Sequence, residues 1–339
     1  MKGIVCTKPL LLEEIEIPEP EPAAGYSILK IHRVNICGTD LHAFEGTQPY
    51  FNYPRILGHE LSGELVAVDQ ADGFSIGEQV TIIPYLNCGH CLACRKGNPN
   101  CCATIQVCGV HIDGGMVEYY SVPSYALVHN QGIQTEHLAM VEPLAIGAHG
   151  IRRARVQEGD TVLIMGAGPI GLGTLEFARL AGARVIVLDI NSQRLEFAKS
   201  QMGADCIVDA MACDALEQVR DFTNGEMAAV VIDATGNQGA INNGINYLGH
   251  GGNYVLIGLQ KEDIIINHPE FHKRETTMMG SRNATREDFE TVIRAIQKGQ
   301  VDPSVYISKT VSFGQVTTAF HEWVHPKDQL IKVGINIHP

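Results

Sequence analysis

The pattern of apolar and polar positions is clearest across residues 161–189. Val162, Leu163, Ile164 and Met165 form an uninterrupted apolar run closed by glycine, as in a strand buried on both faces of a parallel sheet. After a glycine turn, Ile170, Leu175, Phe177, Ala178 and Ala181 supply the apolar face of a helix that stops at Gly182. Arg184 to Leu188 then form a second strand ending on Asp189. Downstream, strands are expected over residues 206–209, 229–233, 254–257 and 264–266, with helices between them. Residues 287–298 predict an amphipathic helix with Phe289, Val292, Ile293 and Ile296 on one face. The start of the chain has a different rhythm. Short apolar runs such as Ile28, Leu29, Ile31 and Val34, broken by the acidic, proline-rich residues 13–22, predict short strands of an antiparallel, barrel-like domain. Strand-like segments run on to Val128, and the tail beyond residue 298 returns to short strands that rejoin this domain.

The expected fold class is therefore α/β, with a β-barrel domain and a doubly wound parallel sheet. The barrel domain is placed at residues 1–148, the parallel-sheet domain at 149–285 and the return to the barrel domain at 286–339. The turn after Met165 sets Gly166, Gly168 and Gly171 in Gly-x-Gly-x-x-Gly spacing between a strand and a helix. In a dinucleotide site the first glycine permits the tight turn, the second lets backbone approach a pyrophosphate, and the third lets the helix pack against the strand. Asp189 lies about 20 residues on, where an acidic side chain accepts hydrogen bonds from the adenosine ribose and repels a 2′-phosphate. No Arg or Lys follows at Ile190 or Asn191, so NAD is favoured over NADP. Gly236, Gly252 and Gly258 flank strand ends, where a parallel sheet binds its ligand.

Cysteine spacing adds a metal lobe at residues 86–104. Cys88-x-x-Cys91-x-x-Cys94, then Cys102, can wrap one tetrahedral ion with no open position, which makes the site structural. The gap before Cys102 is longer than in the bacterial iron–sulfur run and Ala103 follows instead of proline, so zinc is the expected metal. Cys101 could substitute for its neighbour. His90, Cys6, Cys108, Cys206 and Cys213 read as packing or surface residues. Cys37, His59 and Glu60 are a thiolate, an imidazole and a carboxylate, the donor types of a catalytic zinc with one position open. Singly, Cys37 reads as a buried apolar residue and His59 as a satisfied polar one; as a set they point to a metal. Glu142 precedes Pro143 at a helix start, where a carboxylate is also favoured by the helix dipole alone.

The chain has 339 residues, enough for two cores, and 45% hydrophobic with 19% charged residues is ordinary for a soluble enzyme. A formal charge of −13 argues against nucleic acid or an anionic membrane as a partner. There is no run of the roughly 18 apolar residues that a spanning helix needs, and the apolar residues 10–12 are no signal peptide. The expected location is cytoplasmic. Clustering of four cysteines then favours metal binding over a disulfide scaffold.

Together, Cys37-Gly38-Thr39-Asp40-x-His42, Gly58-His59-Glu60-x-x-Gly63, the four-cysteine lobe, Glu142-Pro143-Leu144 and the glycine fingerprint give a resemblance over essentially the full length. The chain resembles the zinc-dependent medium-chain dehydrogenase/reductase superfamily, and within it the polyol, threonine and sugar-acid dehydrogenases. Residues 53–60, 109–115 and 280–283 resemble the branch that holds RspB and L-galactonate 5-dehydrogenase. The resemblance implies a GroES-like catalytic domain interrupted by a Rossmann domain, a homodimer or homotetramer, and two zinc ions per chain. It implies Cys37, His59 and Glu60 as catalytic zinc ligands, with Glu142 binding the ion directly or holding its water. Thr39 would stand beside the reacting alcohol, His42 at the outer end of a proton relay through the nicotinamide ribose, and Asp40 behind His59. The cofactor set is read as Gly166, Gly168, Pro169, Ile170, Gly171, Asp189, Arg194, Gly258 and Ser281. The expected activity is NAD-dependent oxidation of a secondary alcohol on a small polyol or sugar acid, with Arg55 and Arg282 as candidate partners of a substrate carboxylate. L-Threonine oxidation and a non-catalytic sensor of NAD and a sugar acid are the alternatives.

Overall fold

A computed structural model of the chain describes residues 1–71, 73–212, 214–324 and 330–338. It divides into two compact units, one of Met1–Glu142 and Thr285–Pro339, the other of Pro143–Ala284. The first division falls at Glu142/Pro143, where the sequence reading placed it after residue 148, and the second at Ala284/Thr285. The first lies inside the helix Val141–Ala154, so no change of composition marks it.

In the first unit the strand Tyr26–Asn35 is the hub of a seven-stranded sheet. It pairs antiparallel with Glu60–Ala67, Tyr119–Pro123 and Lys332–Asn336. Gln79–Ile82 and Leu127–His129 extend the sheet on one side, and Ile307–Ser312 extends it on the other. The early apolar runs drive this arrangement: Leu29, Ile31 and Val34 are fully buried against Leu61, Leu65, Ile82, Phe320 and Ile335. A short ladder of Tyr85–Leu86 with Gln106–Val107 closes the neck of the cysteine lobe.

The second unit is a six-stranded parallel sheet. Its order is Cys206–Asp209, Arg184–Asp189, Thr161–Met165, Ala228–Asp233, Leu248–Leu256 and Thr277–Gly280. In chain order this is 3-2-1-4-5-6, which reverses direction between Thr161–Met165 and Ala228–Asp233, the place where such sheets bind a dinucleotide. One expected strand is absent. Residues 264–266 are irregular because Asn267 caps the helix His268–Lys273 directly after them, and Ile265 N donates to Asn242 Oδ1 at 2.9 Å instead of joining a ladder. The sixth strand is Thr277–Gly280, an edge strand whose residues are exposed or half-buried and which carries no apolar run to announce it. The predicted helix over 287–298 is observed as Arg286–Gln297, with Phe289, Val292 and Ile293 buried. Among the described residues no helix is long and apolar enough to cross a membrane.

Candidate active site and metal centres

Cys37 leaves the hub strand and opens the helix Gly38–Glu45. His59 and Glu60 come from the turn that enters the neighbouring strand, so strand pairing between Asn35 and Glu60 brings the two segments together. Asp40 fixes the junction. Its Oδ2 accepts from Cys37 N at 2.9 Å and its Oδ1 from Gly58 N at 3.1 Å, and burial raises its pKa. His59 Nδ1 is 3.9 Å from Asp40 Oδ1, beyond hydrogen-bond distance, so Asp40 bonds the two backbones and reaches the imidazole through its charge alone. One donor atom from each of Cys37, His59 and Glu60 lies within 4.8 Å of the others.

Two observations test whether these donors suit a metal. Glu60 Oε2 is buried and finds no hydrogen-bond partner among the described residues, an expensive state for a carboxylate oxygen unless an ion takes it up. Burial lowers the pKa of His59, but the charges of Cys37 and Asp40 outweigh it and the net direction is well upward. The field at the trio therefore favours a cation, and the donor set fits a zinc ion.

Glu142 stands outside this trio. Tyr85 donates its hydroxyl to Glu142 Oε1, and burial, with the charge of Glu60 beside it, pushes the carboxyl up to about 7. Thr39 is half-buried one helical turn before His42. His42 is exposed, its Nδ1 3.3 Å from Glu45 and 3.2 Å from Thr47 Oγ1.

In the lobe the sulfurs of Cys88, Cys91, Cys94 and Cys102 share one 4.8 Å cluster, and exposed Cys101 is not part of it. Cys91 N donates to Cys88 Sγ at 3.4 Å and Cys88 N to Cys102 Sγ at 3.3 Å. Backbone N–H groups of His90 and Cys91 lower the Cys88 thiol to about 6, so the turn itself favours the thiolate a metal needs. Of the cysteines read as packing, Cys6 and Cys108 are buried, Cys206 is half-buried, and Cys213 lies outside the described residues.

In the second unit the three fingerprint glycines differ in what surrounds them. Gly166 has a positive φ of 103°. A Cβ on Gly171 would sit 1.8 Å from Gly166 O, whereas one on Gly168 would meet nothing within 4 Å. The third glycine is thus a packing requirement, and the second leaves open space. Pro169 and Ile170 begin the helix Pro169–Leu180, which Gly168 caps. Asp189 Oδ2 accepts from Ala167 N at 2.5 Å and Oδ1 from Asn191 N at 2.8 Å, so this carboxylate also braces the glycine turn. Arg194 is half-buried, and its backbone N donates to Asn191 Oδ1 at 3.1 Å. Ser281 follows the edge strand with its hydroxyl buried and unpartnered among the described residues. Gly258 packs so closely that a Cβ would lie 2.2 Å from Gly236 N.

Three residues that the sequence did not flag hold these sites. Buried Asp233 accepts from Thr235 Oγ1 at 2.5 Å and Gly236 N at 3.2 Å, shaping the turn at the switch point; its place at the end of an apolar strand was the available signal. Lys332 Nζ donates to Glu60 Oε1 at 2.6 Å with both side chains out of solvent; a lone charge in the run Leu330-Ile331-Lys332-Val333 was its signal. Tyr85 gave none. Arg55, read as a candidate partner for a substrate carboxylate, instead pairs with Asp113 at 3.2 Å, while Arg282 is exposed in the second unit.

Comparison with known proteins adds the following. The alcohol dehydrogenase GroES-like domain matches residues 23–132, and the zinc-binding dehydrogenase family matches residues 169–298. The chain is 43% identical over 336 residues to L-galactonate-5-dehydrogenase of Escherichia coli K12, covering 98% of each. It is 33% identical over 340 residues to starvation-sensing protein RspB of the same strain, again covering 98% of each. Among solved structures, the NADH complex of RspB from E. coli CFT073 superposes with a TM-score of 0.92 at 31% identity, covering 99% of each chain.

Proposed function

Because the chain belongs to the zinc-type medium-chain alcohol dehydrogenases of the polyol and sugar-acid branch, we propose that it oxidises a secondary alcohol of an L-galactonate-like aldonate to the ketone with NAD. The observation that carries this reading is the convergence of Cys37, His59 and Glu60, with the buried Glu60 Oε2 left unpartnered among the described residues. These three residues would hold the catalytic zinc, and the four lobe cysteines a structural one. Bound there, zinc supplies a Lewis acid that favours the ionised form of a hydroxyl. Thr39 would accept the departing proton at its hydroxyl oxygen as it gives up its own, and His42, exposed one turn on, would receive the relayed proton and release it to solvent. Glu142, held by Tyr85, would bind the ion directly or hold its water. Gly168 lets the chain's backbone approach the pyrophosphate, and Asp189 accepts from the ribose and repels a 2′-phosphate. The similarity to L-galactonate-5-dehydrogenase supports the aldonate, the NADH complex of RspB supports NAD, and the resemblance supports a homodimer or homotetramer.

Following NADH absorbance with aldonates, neutral polyols and L-threonine tests the reading. An aldonate should give the highest kcat/KM, with NAD preferred over NADP by about tenfold or more. L-Threonine as the best substrate would replace the aldonate assignment, and no oxidation of any by zinc-loaded protein would leave a sensor of the same ligands. Replacing the charge with Asp189→Ser should raise kcat/KM for NADP by about tenfold, since a like-charge contact is removed. An unchanged NADP rate would refute the role given to Asp189.

A further inference from the structure

We propose that Lys332 is a positioning residue of the catalytic metal centre, fixing Glu60 so that it presents one chosen oxygen to the ion. The inference rests on the reading that Cys37, His59 and Glu60 hold zinc. Lys332 begins the strand Lys332–Asn336, 272 residues from Glu60 in the chain, yet Nζ and Oε1 are 2.6 Å apart. Both side chains are at or below 2% exposure. Burying two charges costs several kcal/mol before their attraction is counted, and apolar residues of similar volume commonly fold as well or better. Stability alone therefore does not select a Lys–Glu pair at this position.

The geometry shows what the pair does. Glu60 has two oxygens; Oε1 is taken by Lys332, and Oε2 is buried with no partner among the described residues. The carboxylate is thus sorted into a bonded oxygen and an available one, and its side chain is locked in one orientation. Another donor was within reach of evolution in this sheet. Asn35 pairs in register with both Glu60 and Gly334 and is fully buried, but neither atom of its amide is hydrogen-bonded among the described residues. The hydrogen bond that holds Glu60 comes from Lys332. A carboxylate so held presents Oε2 to a metal, because Lys332 already takes a lone pair of Oε1 and fixes the plane of the group. Metal ligands fixed by such outer hydrogen bonds typically lose about 10–100-fold in metal affinity when the outer partner is removed.

The test is zinc affinity in the full-length chain, measured by competition with a chromophoric chelator, with total zinc counted separately. Lys332→Met should lower the affinity of one of the two zinc sites by about 10–100-fold and leave the lobe zinc in place. A merely structural role is separated by the double-mutant cycle. In a Glu60→Gln background, Lys332→Met should cost less than threefold further, because the residue it acts through is already gone. Lys332→Gln, shorter and uncharged, should still cost several-fold and serves if the Met variant is not recovered folded. Wild-type affinity in either Lys332 variant overturns the proposal, as does an equal loss with and without Glu60. If Cys37→Ser retains two zincs, the ligand assignment itself has failed, and that outcome is read independently of Lys332.

Discussion

Cys37→Ser is expected to purify with one zinc per chain and to have lost turnover by a factor on the order of a thousand or more. The serine hydroxyl does not ionise near neutral pH and is a poor partner for zinc, so one of three donors in the cluster is lost. Losing the Lewis acid removes several kcal/mol of charge stabilisation, and each 1.4 kcal/mol is about tenfold in rate. The lobe should be untouched, because its four sulfurs form a separate cluster from residues 88–102. Metal analysis beside steady-state kinetics checks both halves at once. Two zincs per chain with near-normal turnover would mean that Cys37 is a packing residue.

The second large effect separates two glycines three positions apart. Gly171→Ala places a methyl 1.8 Å from Gly166 O, a backbone atom that cannot step aside without opening the turn. A cost of about 3 kcal/mol or more is expected, which lowers Tm by roughly 10 °C and abolishes NADH binding. Gly168→Ala meets nothing within 4 Å, and its φ of −76° suits any residue. That variant should keep the wild-type Tm and lose about tenfold in NADH affinity, because the methyl occupies the approach of a pyrophosphate. Thermal melts and NADH fluorescence titrations distinguish the two. Equal melting temperatures would show that the third glycine is not the packing requirement proposed for it.

Much of this was legible in the sequence where the signal is local. The runs 162–165 and 185–188 read as strands because every residue in them is buried, and the structure pairs them in parallel register, Val162 with Val185. The cysteine lobe was legible because its donors lie within fifteen residues of one another, at a spacing that suits one tetrahedral ion. Local signals also misled. Residues 264–266 are apolar, but a capping asparagine and a proline follow at once and turn the segment into a helix approach. The edge strand Thr277–Gly280 was illegible because it lacks buried side chains, which are what periodicity reports. Lys332 and Tyr85 were out of reach for another reason. Each acts through one partner far away in the chain, and a single distant hydrogen bond leaves no trace in composition or rhythm.

The order of strands in the first unit bears on how the chain is made. Lys332–Asn336 lies between Tyr26–Asn35 and Ile307–Ser312, with Gly334 opposite Asn35. On a translating ribosome, residues 143–284 emerge complete and can fold as a unit while that slot is still empty. Until residues 332–336 arrive, the nascent hub strand carries an unpaired edge, and a chain released early would expose that ladder to its neighbours.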